Sequence, residues 1–183
     1  MGIGNTTASS AVAAALIGGE LEALIGRGTG VDDKAFEVKT QIVRQAVSRW
    51  ERQRGAHIPY AAEVMRHLGG REMAATLGAM LEAVQRGVAI LVDGFIISVV
   101  ALTLVRLHPE ARSYLIFSHR SQESGHQRVL AELNAEPLIS LGLRLGEASG
   151  ALSAYPLLKA ACDLHVHMAT FAEAAVPDQD EDS

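Results

Sequence analysis

The spacing of apolar positions changes several times along this chain, and each change predicts an element. From Ala8 to Ile17 nearly every residue is small or apolar, with Thr6 or Thr7 in front and Gly18-Gly19 behind. A hydroxyl satisfies the free amides at a helix start and glycine permits the stop, so this run is predicted to be a helix. Asp32 or Asp33 then opens a long helix to about Gln53, with Phe36, Val43, Val47 and Trp50 near helical spacing on one face. Helical patterns continue from Pro59 to Leu68 and from Gly70 to Arg86, broken at Gly69-Gly70.

After Arg86 the period shifts. Val88 to Val92 is a continuous apolar run of strand length, ended by Asp93-Gly94 and followed by a helix from about Phe95 to Leu107. Tyr114 to Phe117 is a second such run, ended by Ser118-His119-Arg120-Ser121 and followed by a helix through about Asn134. A third apolar segment, Leu138 to Leu145, leads through Gly146-Glu147 into a helix from Ala148 to roughly Leu164. Strands apolar on both faces and separated by helices are parallel strands covered on each side, so the class is α/β. Ligands of open α/β sheets bind at the carboxyl ends of the strands. The polar segments after the three apolar runs are thereby placed on one rim.

Composition narrows the function. The chain has 183 residues, 49% hydrophobic and 20% charged, with a net charge of -5. That length supports a full core in one domain without disulfides or metal, here expected over residues 1–176, with Pro177 to Ser183 a disordered acidic tail. The acidic balance excludes a general nucleic-acid binder, which needs a basic face to displace phosphate counterions. Val88 to Leu107 has the length of a membrane span, yet it carries Asp93, Gly94 and Arg106. It reads as a buried strand plus a buried helix, and no membrane partner is expected. The single cysteine, Cys162, lies in an alanine-rich run and reads as a buried inert thiol, in keeping with a reducing cytoplasmic setting. The N-terminus lacks the positively charged region that begins a secretory signal.

Several segments carry candidate chemistry. Gly2-Ile3-Gly4-Asn5-Thr6-Thr7 precedes a helix, so it suits either a phosphate cradle or a plain cap. Gly26-Arg27-Gly28-Thr29-Gly30 offers the same chemistry or a tight loop. Lys39 alone reads as a solvated helical lysine. His119 and Arg120 at a strand end suit an anion or a sugar hydroxyl. Glu147, at a strand-to-helix junction, fits a general base or a carboxylate complementing the helix dipole; burial would raise its pKa, and the helix start and Arg144 would lower it. His165 and His167 are two apart and face different sides of a helix, so no metal is inferred.

Taken in order, Gly2 to Thr7, Gly26 to Gly30 followed by an acidic pair, Val92-Asp93-Gly94-Phe95, Ser118 to Ser121, and Leu143-Arg144-Leu145-Gly146-Glu147 resemble nicotinate-nucleotide-dimethylbenzimidazole phosphoribosyltransferases from Met1 to about Val176. The resemblance implies a helix-rich fold with a parallel, Rossmann-like three-layer sheet and covering helices. It implies transfer of phosphoribosyl from nicotinate mononucleotide to dimethylbenzimidazole in cobalamin lower-ligand synthesis, by a cytoplasmic homodimer without a cofactor. Glu147 would be the general base. Gly2, Gly4, Asn5, Gly28, Gly30 and Lys39 would hold the nucleotide phosphate, Ser121 would lie near the nucleotide, and Leu145 would pack on an aromatic ring.

Two departures accompany the resemblance. Ala148 stands where the family's glutamate motif has glycine. Family members are also roughly twice as long, and the match begins at their middle, just after a second glutamate, so the chain is expected to be the C-terminal portion of such an enzyme. The alternative is a non-catalytic nucleotide-binding or assembly fragment that needs a partner chain.

Overall fold

The computed structural model of the chain describes residues 2–26, 32–53 and 60–175. Within them, seven helices and two strands run in the order α1 (Asn5–Ile17), α2 (Asp33–Gln53), α3 (Tyr60–Leu68), α4 (Arg71–Gln85), β1 (Ile90–Val92), α5 (Gly94–Leu107), β2 (Leu115–Phe117), α6 (Ser124–Glu132) and α7 (Ser149–His167), with 3-10 turns at Leu21–Leu24 and Pro109–Tyr114. Gly28, Gly30, Pro59 and the acidic tail lie outside the described residues.

The core forms around α5, which packs against α1, α3, α4 and α6. Val99, Val100, Ala101 and Leu104 are fully buried, as the unbroken apolar run of this helix requires. The helix α1 is buried from Ser9 through Leu16. Its serines and alanines let neighbouring helices approach closely on every side, which is why it has no polar face. Gly18 and Gly19 end it at positive φ, 71° and 84°, which glycine alone adopts freely. Its start differs from the hydroxyl cap expected: Gly4, left-handed at φ 76°, is the cap residue, and no side chain caps the helix. Asp32 does cap α2, its Oδ1 accepting the Ala35 amide at 2.8 Å. On that helix Val43 and Trp50 are buried, as their spacing predicts.

The two strands are parallel, with Ile90 opposite Leu115 and Val92 opposite Phe117. They are shorter than the apolar runs. Val88 stays in the turn after α4, its amide bonded to Ala83 O, and Tyr114 ends a 3-10 turn. The third apolar segment forms a single parallel bridge, Ile139 to His119, in place of a strand. Its backbone nevertheless extends the sheet's hydrogen bonding, because the Leu138 amide bonds Phe117 O and the Arg120 amide bonds Ile139 O. Beyond Ile139 the segment carries Gly142 at φ 69°, which breaks the extended run.

The helix α7 is docked only at its start, where Gly150 and Ala154 are buried. Cys162 is therefore exposed, contrary to the buried thiol expected, since the buried residues of α7 are confined to its first turns. Among the described residues no helix is long and apolar enough to cross a membrane.

Candidate active site

The first half of the site forms where α1 begins. The left-handed Gly4 turns the chain so that the amino end of α1, with its partial positive charge, faces the loop at Gly26. Lys39 reaches this place from α2: its Nζ donates to Gly26 O at 2.6 Å and to Thr6 Oγ1 at 3.3 Å. The threonine expected to cap α1 thus serves the lysine. Lys39 is buried, not solvated. Burial holds its pKa below the ordinary lysine range, against the opposing pull of the Glu123 carboxylate. Glu123 lies so close to Gly26 that a Cβ there would collide with its Oε2. The Glu123 carboxylate, the free end of a flexible side chain, thus rests against the Gly26 backbone. The Ser124 hydroxyl completes this seam by donating to Ile25 O at 3.1 Å.

The segment after β2 joins this seam to the rest of the rim. Ser118 donates through Oγ to Val92 O at 2.7 Å, tying the two strand ends together. Ser121 is buried, and its amide donates to His126 Nδ1 at 2.9 Å while its hydroxyl accepts the Glu123 amide at 3.3 Å. Further along, the Gln122 amide bonds Leu143 O at 3.0 Å, so the same segment touches the loop that carries Glu147. His119 is 3% exposed, which removes it from the anion- or sugar-holding role that its place after the strand suggests. Its Nε2 instead lies 3.3 Å from Asp93 Oδ1, at the end of β1.

His126 is a residue that sequence reasoning missed. It lies in the middle of a helical pattern, and only the tertiary packing of α6 on α5 shows that it is buried. Because Nδ1 accepts the Ser121 amide, the ring proton sits on Nε2 and is donated to Ser98 Oγ at 3.0 Å. Desolvation, followed by the charges of His119 and Arg120, lowers its pKa to about 4. A histidine that resists protonation in the folded chain binds fewer protons there than when unfolded. Its contribution to stability is complete above pH ~6.5 and is lost as pH falls toward about 4. Thermal melts from pH 7 to pH 4 are expected to lose stability on the order of 3 kcal/mol through this group, and His126→Gln should flatten that part of the profile. An unchanged slope in the variant would count against the assignment.

The second half of the site is the turn before α7. Gly146, Glu147 and Ala148 are all left-handed, at φ 92°, 59° and 62°. Such a run is costly for the two residues with side chains and persists only where flanking contacts hold it. Ala148, the departure from the family's glycine, is compatible with this conformation but strained in it. Glu147 and Leu145 are exposed, Leu145 to 68%. Of the residues singled out in the sequence, Gly2, Gly4, Asn5 and Lys39 come together at the start of α1, Ser121 lies in the connecting segment, and Leu145 and Glu147 lie in the loop that this segment touches at Leu143; Gly28 and Gly30 are outside the described residues. Glu123 and Glu72 were missed. A Cβ on Gly2 would stand 2.5 Å from Glu72 Cδ, so a carboxylate from the start of α4 closes the edge of the cradle.

Comparison with known proteins identifies the family. A family profile described as phosphoribosyltransferase matches residues 1–176. The nicotinate-nucleotide-dimethylbenzimidazole phosphoribosyltransferase of Pseudomonas fluorescens is 52% identical over 179 residues, covering 98% of this chain and 50% of its own length. That of Azotobacter vinelandii is 53% identical over 178 residues, covering 97% and 49%. The crystal structure of CobT from Thermus thermophilus superposes with a TM-score of 0.88 at 41% identity, covering 98% of this chain and 52% of that one. The chain spans about half the length of the curated relatives it matches. With the profile matched across all its described residues and relatives above half identity, the chain belongs to the nicotinate-nucleotide-dimethylbenzimidazole phosphoribosyltransferase family.

Proposed function

We propose that this chain supplies the phosphate cradle and the base of an enzyme that moves phosphoribosyl from nicotinate mononucleotide to dimethylbenzimidazole, giving α-ribazole phosphate and nicotinate in cobalamin lower-ligand synthesis. The observation that carries the reading is the buried Lys39 ammonium at the amino end of α1, between Thr6 and Gly26 O. A cation with one donor left free by these two bonds, beside a helix start, is built for a phosphate monoester. With the phosphate held there, Glu147 removes the proton from one benzimidazole nitrogen while the other attacks the anomeric carbon. The bond to nicotinate breaks, its electron pair returns to the nicotinate ring nitrogen, and attack from the opposite face turns the β linkage into α. The low charge and lone thiol fit a cytoplasmic setting, and the family resemblance implies a homodimer.

Titration calorimetry with nicotinate mononucleotide tests the cradle. The wild-type chain should bind, and Lys39→Met, which keeps the buried stem and removes the charge, should weaken binding by roughly 10-fold to 100-fold. Equal affinities in the two proteins would remove Lys39 from the phosphate site. A second reading, a nucleotide-binding fragment that acts with another chain, is favoured by the apolar surface of α7 and the segment beyond it. Leu152, Tyr155, Leu157, Leu164 and Phe171 are all more than half exposed there, a density seen where another surface is to be covered. Binding without turnover would support that reading.

A further inference from the structure

We propose that Asp93 is a positioning residue for Glu147: its buried carboxylate, backed by His119, caps α7 from a distant strand end and thereby fixes the left-handed run that carries the glutamate. The inference rests on the role given above to Glu147. No side chain of its own neighbourhood caps α7, whose cap residue is the left-handed Ala148. The helix start is satisfied from 58 residues away, where Asp93 Oδ1 accepts the Ala151 amide at 2.9 Å. That amide is the third of the helix, the one an N-cap side chain ordinarily serves.

The carboxylate is itself held. It is 8% exposed at the end of β1, and His119 Nε2 stands 3.3 Å from the same Oδ1 on its way from β2. Among the described residues neither buried ring nitrogen of His119 has a hydrogen-bond partner, so its approach to Asp93 is a charge contact and not a hydrogen bond. Its ring instead lies against Gly150, so close that only glycine fits between Ala151 and the turn. The strand ends thus grip the first turn of α7 by its amide and by its missing side chain. On the other side, the run is pinned where the Gln122 amide bonds Leu143 O. Between these anchors lie Gly146, Glu147 and Ala148, which carry unfavourable backbone angles and have no buried side chain to hold them. The direction of the Glu147 side chain is therefore set by the two anchors, at Leu143 and Ala151, which flank it equally in sequence.

The test compares the 15N-labelled full chain with Asp93→Ala and Asp93→Asn by amide hydrogen exchange and chemical shift. Loss of the acceptor in Asp93→Ala should speed exchange at Ala151 on the order of tenfold and move the Gly146 and Glu147 resonances, while Val99 and Val100 in α5 keep their protection. Asparagine retains an oxygen at the Oδ1 position and should restore Ala151 to within about threefold of wild type. Unchanged exchange at Ala151, loss of protection spreading through α5, or an asparagine variant indistinguishable from alanine would each overturn the proposal, as would unmoved Gly146 and Glu147 resonances. None of these readouts depends on turnover. If Glu147 proves dispensable for chemistry while the exchange results hold, the base assignment fails and the positioning stands.

Discussion

Glu147→Gln is expected to slow α-ribazole phosphate formation by about 100-fold to 10,000-fold, the range a positioned general base supplies. Glutamine matches the size of the side chain and tolerates the left-handed backbone at φ 59° no worse than glutamate, so the fold and the turn should survive. What it loses is the ability to take the benzimidazole proton. Nicotinate mononucleotide affinity should stay within about twofold, because the cradle is built by Lys39, Thr6 and Gly26 whereas Glu147 lies in the separate turn before α7. Chromatographic measurement of product from both proteins, with matched substrate and with the affinity measured separately, checks both parts. Equal rates would show that the proton leaves by another route. A matched loss of rate and affinity would mean that the residue binds substrate and takes no proton.

The contrast between Lys39 and Glu147 shows what the sequence made legible. Elements defined by long periodic patterns were readable to within a few residues: α2 runs Asp33–Gln53 where the apolar stripe and the aspartate cap place it, and α5 follows the apolar run after Asp93. The strands were readable as parallel but not in length or full burial, because only three residues of each pair, only Val92, Leu115 and Phe117 among them are buried, and Val88 before β1 is half exposed. The third apolar run shows the limit of that signal. Continuous hydrophobicity does not reveal Gly142 at φ 69°, and a single bridge replaces a strand.

Site residues followed the same division. Motif order singled out the glycines and Glu147 as candidates, and the family resemblance added Lys39, while side chains that matter through tertiary contact carried little local signal. Lys39 looks like any solvated helical lysine until α1 is packed beside it. His126 and Glu123 sit in an ordinary helical stretch, yet one orients Ser121 and the other faces Lys39. Asp93 was visible as a polar residue at a strand end, but its partner, the Ala151 amide, is 58 positions away. Long-range pairing of this kind is set by topology, and no periodicity within either segment records it.

Gly150→Ala is expected to be the most damaging single methyl group that can be added near the site. An alanine Cβ there would overlap His119 Cδ2 and stand 2.5 Å from Cγ, well inside contact distance, and the ring cannot swing freely because it is 3% exposed and meets Asp93 at 3.3 Å. Overpacking of a buried site costs about 1–3 kcal/mol and occasionally more. The higher helix propensity of alanine offsets about 1 kcal/mol of that. The contact is with the body of a ring and not with a flexible chain end, so the cost should sit at the upper limit and leave a net loss of roughly 2 kcal/mol. For a chain of this size that lowers the melting temperature by about 4–8 °C. The double variant His119→Ala/Gly150→Ala distinguishes a clash from a general intolerance of α7. If the ring is the obstacle, removing it should make the alanine at 150 nearly neutral, and a thermodynamic cycle should show coupling above about 1 kcal/mol. Thermal denaturation followed by circular dichroism measures all four proteins. A wild-type melting temperature for Gly150→Ala would mean that α7 does not rest on His119, and the support for Glu147 would have to come from elsewhere.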